Sequence, residues 1–600
     1  MLRRSGHPWR NCAEPLLGMA AIVRLIQSTA MVSSSPNPGR GRQGLFDGTE
    51  LQSPPRPRSR WARLLGVLHP AHTHSAFSAS VLLAASAVAS ALVGLARGKY
   101  IAWIFGAGPQ TDAYMAAFRL PDLMNNFLVG GAVSITFVTL LNRYRESGKA
   151  AEGEQVLFVV FNLMVAVLTV ASIALMFLAA PFVHWTNPGF PPSQVALCAH
   201  MTRVLLPAQI FLFAGSVLGA PLLVRKQFAY QAATPILYNL SIIFFGVMLH
   251  RRFGVSALAI GATAGFFFGS FVLNAWGAAR AGIRYRWTLD LRHPGVRLWL
   301  YMTLPLMFGF TLPFLDQYFA GFYASHGAGD ITRLANAKQL FSAPMSMLSL
   351  AAGVASMPFF AQLWAAGKRY DFAIGVADAV SRVVALGLLA SSLMIALAHP
   401  IVDAVFGGGR FTPGDVKLTA FFFALYTVAL FAWSAQAIYA RAFYAAGITW
   451  LPMLASTVIL LLAFPLYGLG YTGWGAAGLA MASDLGILLQ ASTLGVLLHQ
   501  RRMVSLASLD YAEMGRCLLA GLVSGSAAGL LAWAAGILKR DLPALAALHR
   551  AHFWIDALIL LAGAAVWSLT AMWTLERSGS ALPRVTLRRL GWNRLGAAAS

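Results

Sequence analysis

Between Arg97 and Phe137 the chain places Arg97, Lys99, Asp112, Arg119 and Asp122 within two long apolar runs joined by a Gly106-Ala-Gly-Pro109 turn. An ionisable side chain near the middle of a bilayer costs roughly 2.5–3.5 kcal/mol on insertion scales, so such groups face a bundle interior or a wet cavity. Together they imply a polar lumen that is mostly cationic on this side. Guanidinium groups take phosphate oxygens in pairs, so the chemistry such a lumen suits is holding a pyrophosphate. Arg97 and Lys99 point about 200° apart on a helix, so one of them faces the lumen. Arg97, the deeper, is the expected anchor, with Lys99 nearer the membrane interface. Asp112 follows the turn, where a carboxylate can cap a helix and also act as a gate.

The second half of the chain repeats the theme. Asp316, Arg333, Lys338 and Gln339 fall where the first half has its charged hairpin, and Lys338 is the candidate for a second cationic wall. Pro121, Pro305 and Pro344 lie inside apolar runs and permit bends. The stretch from Gly407 to Asp415, Gly-Gly-Gly-Arg-Phe-Thr-Pro-Gly-Asp, lacks the spacing of a phosphate loop and reads as an outer turn that starts a helix. There is no HExxH, no nucleophile elbow and no pair of catalytic carboxylates. These residues make a transporter rather than an enzyme, with no cofactor. No Glu occurs between Glu154 and Glu513, so ion coupling through a membrane carboxylate would fall to Asp316, Asp378 or Asp484.

The elements that position these residues follow from composition. Of 600 residues 58% are hydrophobic and 11% charged, against about 25% charged in soluble domains, which makes this an all-α polytopic membrane protein. Apolar stretches long enough to span recur about fourteen times, the second near 112–141, the seventh near 297–324 and the eighth near 331–364. The net charge of +24 does not mark a nucleic-acid binder, because the basic residues sit at the ends of apolar runs as topology signals do. They put both termini in the cytoplasm. Arg251–Arg252 and Lys539–Arg540 break the pattern on the outer side.

An internal repeat sets the architecture. Gly131-Ala-Val-Ser-Ile-Thr-Phe137 returns as Gly353-Val-Ala-Ser-Met-Pro-Phe359, 222 residues later, and two further matches follow at nearly the same offset. Parallel repeats pack around an axis along the membrane normal and leave a cleft between two lobes. The expected domains are a disordered basic extension (1–74), an N-lobe of six helices (75–290), a C-lobe of six (291–505), two extra C-terminal helices (506–578) and a basic tail (579–600). The extension carries ten Arg and a His69, His72, His74 cluster. Cys12, Cys198 and Cys517 are far apart and read as packing residues, with no disulfide or metal site.

At this point the residues resemble a known family. Ile104-Phe-Gly-Ala-Gly108, Thr111-Asp112-Ala113 and Ala117-Phe-Arg-Leu-Pro121 are similar to the opening of the MurJ (MviN) lipid II flippases. So are Gly130-Gly131-Ala132 with Ser134 and Phe137, and Phe406-Gly-Gly-Gly-Arg-Phe-Thr412 with Asp415. The resemblance covers roughly residues 80–500. It implies fourteen helices in two lobes with the last two outside, and alternating access that moves an undecaprenyl-pyrophosphate-linked peptidoglycan precursor across the bacterial inner membrane. It also implies that Arg97 is a cavity arginine, Ala102 a small cavity-lining position and Asp112 an outer-gate aspartate. The pattern departs at four places: Ala91 and Gln339 stand where the family has arginines, Asn125–Asn126 replace an Arg pair, and Gly130 replaces an acid.

The expected function is a flippase for a lipid-linked glycan with a pyrophosphate head group, lipid II first. The expected substrate contacts are Arg97, Lys99, Ala102, Arg119, Asn125, Lys338 and Gln339, with Asp112 gating. The rewritten arginines leave a flippase for an exopolysaccharide or O-antigen unit as the alternative. A multidrug antiporter would need an acidic cavity. Membrane potential or an ion gradient would reset the cycle, and the protein is expected to work as a monomer among membrane lipids, near cell-wall synthesis enzymes.

Overall fold

In lipid a backbone can satisfy its polar groups only within itself, and this chain does so almost entirely as helices. The computed structural model describes residues 76–126, 132–290, 292–311, 315–541, 549–580 and 582–583; the N-terminal extension with its histidine cluster, and most of the tail, lie outside them. The first half comprises α1 (Ala76–Phe105), α2 (Pro109–Ala117), α3 (Arg119–Met124), α4 (Ala132–Glu146), α5 (Ala150–Thr186), α6 (Pro192–Leu205), α7 (Ala208–Val224) and α8 (Ala229–Phe253). It closes with α9 (Ser256–Gly265), which passes through a π-helical stretch into α10 (Leu273–Arg280).

The second half comprises α11 (Pro294–Thr311), α12 (Leu315–Ala324), α13 (Asp330–Ala365), α14 (Arg369–Ala396), α15 (Ala398–Phe406), α16 (Pro413–Val428), α17 (Leu430–Ala445), α18 (Trp450–Trp474) and α19 (Ala476–Gln500). Two more follow, α20 (Tyr511–Asp541) and α21 (His549–Arg577). The protein is a multi-pass membrane protein, and its lipid-facing surface is apolar: Trp554, Leu558, Leu561 and Leu569 of α21 all point outward.

Among the described residues ten helical runs are long and apolar enough to cross a membrane, eleven if α16 and α17, bent by 42°, count as one. The second, seventh and eighth expected spans each include residues or side chains outside the described set, so this count bears on the other eleven. The described parts of the second are α2, α3 and α4, and those of the seventh are α11 and α12. The eighth, α13, is a continuous 36-residue helix through Pro344 and Pro358, with Asp330, Arg333 and Lys338 confined to its first turns. All three meet between the lobes, where a polar wall is tolerated because lipid does not touch it.

The packing of the helix that follows the expected boundary is informative. The division at 290/291 assigns α11 to the C-lobe, yet α11 packs on α4 and α5 of the N-lobe. Its Trp299 is fully buried and stacks on Phe137 at 5.9 Å. The seventh span joins the C-lobe only with α12, which lies against α18 and α19. The helices outside the repeat pack together and onto α14, where Cys517 and Ala520 meet Ala385 and Leu389. Cys198 and Cys517 are both free and buried.

Candidate functional site

At one end of the bundle the turns after α1, α5, α12 and α15 gather and close a seam between the lobes. The α1–α2 turn needs glycine. Gly106 has φ +71°, and a Cβ there would sit 2.6 Å from the Arg410 carbonyl oxygen. Gly409, φ +61°, lies against the Trp103 carbonyl, which accepts a hydrogen bond from the Arg410 N–H at 2.9 Å. This glycine stretch is a turn, as its sequence suggested. It ends at Thr412, which caps α16 through a reciprocal pair of bonds with Asp415.

Asp112 crosses the seam. Its carboxylate is buried and accepts hydrogen bonds from the Gly329 N–H (2.5 Å), the Thr332 N–H (2.8 Å) and the Thr332 hydroxyl (2.6 Å). The aspartate therefore caps a helix, but the helix is α13 of the other lobe rather than its own. An anion on free N–H groups at a helix N-terminus is held by both hydrogen bonds and the helix dipole. Beside it Arg333 bridges Asp330 (2.9 Å) and Asp415 (2.8 Å), tying α13 to α16. Lys99 makes a second crossing, its ammonium donating to the carbonyls of Gly407 (2.5 Å) and Ala404 (3.3 Å) at the C-terminal end of α15.

Inside the seam lies a cavity of about 180 Å³ between the lobes, lined by Arg119, Asp122, Tyr318, Gly321, Lys338 and Tyr426. Arg119 is buried, and its guanidinium donates to Asn187 Oδ1 at 2.6 Å and to the Thr186 carbonyl at 3.4 Å. It lies so close over Gly321 of α12 that a side chain there would collide with it. The Tyr318 hydroxyl returns a bond to the Arg119 carbonyl at 2.6 Å. From the opposite lobe Lys338 forms an ion pair with Asp316 and stands 5.9 Å from the Tyr426 ring centroid. Asp316 also receives the hydroxyls of Tyr467 and Ser483. It faces a second cavity of about 290 Å³ within the C-lobe, lined by Gln436, Tyr467, Ser483 and Gln490 among others. Asp484 is buried next to this group, with one carboxylate oxygen unpartnered among the described residues. Asp378 lies half exposed, 3.8 Å from Arg382.

The structure brings Arg119 and Lys338 into one cavity and sets Lys99 and Asp112 on the seam. Gln339 faces α1, its amide 3.8 Å from where a side chain on Gly98 would begin. Ala102 is buried in the core beneath the seam. Asn125 ends α3, its N–H bonded to the Pro121 and Asp122 carbonyls. Arg97 does not line the Arg119–Lys338 cavity. Its guanidinium lies 6.0 Å from the Tyr238 ring on α8, and its buried Nε has no hydrogen-bond partner among the described residues. Thr332 and Tyr318 were not foreseen from the sequence; both act across more than 190 residues of chain, and neither residue type stands out in an apolar run.

The model of the family described as Lipid II flippase MurJ matches residues 101–541. A probable lipid II flippase MurJ of Vibrio cholerae is 24% identical over 466 residues, covering 76% of this chain and 88% of its own. The lipid II flippase MurJ of Burkholderia cenocepacia is 28% identical over 384 residues, covering 62% and 73%. Among solved structures, a lipid II flippase MurJ in an inward closed conformation superposes with a TM-score of 0.67 at 19% identity, over 83% of this chain and 99% of that one. An inward-facing multidrug resistance MATE family transporter of the MOP superfamily gives 0.55 at 15% identity, over 69% and 94%. These likenesses in structure establish the shared fold.

Proposed function

Because the chain belongs to the MurJ family of lipid II flippases, we propose that it carries lipid II from the cytoplasmic to the outer leaflet of a bacterial inner membrane by exposing the cavity between its lobes to each side in turn. The observation that carries this reading is one cation from each lobe, Arg119 and Lys338, lining one cavity. A pyrophosphate is the dianion two such groups would hold, and it would displace Asp316 as the partner of Lys338. Arg97, with an unpartnered nitrogen, joins them as a third cation once the lobes part. Lys99 and Gln339 at the α1 seam, Ala102 beneath it and Asn125 at the end of α3 form the surrounding wall.

At about 180 Å³ the cavity is smaller than the roughly 300–1,000 Å³ of sites that hold drug-sized ligands, so the lobes must separate to admit a glycopeptide head group. The lipid tail stays in the bilayer at the lateral opening between them. With both termini cytoplasmic, the seam of Asp112 and Lys99 faces outward and is the gate through which the head group leaves. One chain supplies both lobes, so the working unit is a monomer.

The test is complementation of a bacterium depleted of its own lipid II flippase, paired with lipid II transport in proteoliposomes. Wild type should sustain growth, and Lys338→Ala should lower transport by about tenfold or more, the scale of losing one charged hydrogen bond. Failure of the well-expressed wild type to rescue, or wild-type transport by Lys338→Ala, would overturn the assignment.

A further inference from the structure

Lys539 is one of the few basic residues on the outer side of the charge pattern, and its surroundings explain why it is there. At the end of α20 its ammonium bridges Asp556 of α21 (2.7 Å) and Asp403 of α15 (3.0 Å). Asp556 is buried and Lys539 largely so, which removes this lysine from the balance that sets topology. Asp403 belongs to the last turn of α15, the helix whose Ala404 and Gly407 carbonyls hold Lys99. The Asp403 carbonyl accepts the Gly407 N–H at 2.9 Å, and its carboxylate lies where a side chain on Gly407 would be. Helix α15 is thus gripped on one side by the N-lobe through Lys99 and on the other by the C-terminal pair through Lys539. It packs on α1 and α21 accordingly.

We propose that Lys539 is a positioning residue of the outer gate: by fixing Asp403 it orients the C-terminal carbonyls of α15 that receive Lys99, so α20 and α21 set how firmly the seam closes. The helices outside the repeat are then a working part of the transporter. Two lysines and two aspartates balance in charge around α15. Opening breaks the Lys99 contact together with the Arg410–Trp103 bond and the Asp112 bonds, with α15 remaining on α21 and tied to α20 through Lys539. This inference rests on the alternating-access reading, but its test needs no lipid substrate.

In a background with Cys12, Cys198 and Cys517 replaced, Ala335→Cys places a thiol on the cavity wall behind the seam. Its labelling by a membrane-impermeant maleimide added from outside reports the open gate. Lys99→Met should raise the labelling rate by about tenfold, the shift expected when one charge-assisted contact leaves a two-state equilibrium. Lys539→Met should raise it similarly, the double variant no further than the larger single effect, and Lys539→Arg should return it toward wild type. Asp556→Asn, which keeps Lys539 and Asp403, serves as the milder variant should Lys539→Met insert poorly; it should raise labelling to a lesser degree. Labelling unchanged by Lys539→Met or Asp556→Asn while Lys99→Met raises it would overturn the proposal. So would equal labelling of the Arg and Met variants at position 539, or fully multiplicative effects of Lys99→Met and Lys539→Met.

Discussion

At the scale of single residues, Asp112 shows how a capping carboxylate can serve a helix other than its own. A carboxylate after a Gly-Pro turn reads as the cap of the helix it begins, and in that helix the capping bonds run between Gly108 and Thr111 instead. The carboxylate serves α13, 217 residues away at Gly329, a contact that no local spacing announces. The same holds for Lys338. Its type and depth marked it as cationic wall, but its pairing with Asp316 needed α12 and α13 to be placed side by side. Arg97 and Lys99 face apart, as their spacing requires. Which of them reaches the other lobe depends on where α15 ends, and it is Lys99. The role of Asp112 can be checked directly. Asp112→Asn removes the charge from the α13 N-terminus and turns one acceptor into a donor against the Gly329 N–H. That should weaken the closed seam by about 2 kcal/mol, the value for a partly buried helix-terminus anion. Spin-label distances between α2 and α13 should broaden toward the separated population; an unchanged distribution would show that Asp112 does not hold the gate.

At the scale of elements, hydropathy found the lipid-facing helices. Charges of the second and eighth spans, Arg119, Asp122 and Lys338, line the cavity between the lobes. The repeat predicted two lobes, but repetition of sequence does not say which lobe a linking helix rests on. For α11 the burial of Trp299 against Phe137 decides it. The loop at 407–409 was legible as a turn, while its docking on α1 was not, since hydrogen bonds from backbone to backbone leave no signature in side-chain types. Gly409→Ala tests that docking. A methyl group there would lie 2.3 Å from the Trp103 carbonyl oxygen, at a φ of +61° that L-residues rarely adopt. The turn should move off α1, raise outer accessibility of the Ala335→Cys thiol and slow transport, with little loss of thermal stability because the turn is at the surface of the bundle. A variant that keeps wild-type labelling would show that the glycine is replaceable and the Trp103–Arg410 contact incidental.

At the scale of the whole molecule, charge decides which half of the cycle a membrane potential can drive. When the cavity is empty, neither Arg97 nor Arg119 is ion-paired with a carboxylate among the described residues, while Lys338 is balanced by Asp316. With the lobes parted Arg97 joins Arg119 as a second cation without a carboxylate partner among the described residues. The two charges of a bound pyrophosphate offset them, so that with a protonated Asp122 the loaded carrier is close to neutral. An inside-negative potential therefore does little to the outward, loaded step and pulls the empty, cationic cavity back toward the cytoplasm. Each elementary charge crossing the full field gains about 2.3 kcal/mol per 100 mV. We propose that potential, rather than an ion bound at Asp484, resets the transporter. In proteoliposomes with a potassium-diffusion potential, repeated turnover should accelerate when the cytoplasmic side is negative and slow when the potential is collapsed. A single turnover of preloaded carrier should be nearly insensitive. If turnover instead follows a proton or sodium gradient at zero potential, the buried carboxylates Asp316 and Asp484 become the coupling groups and the cationic cavity serves binding alone.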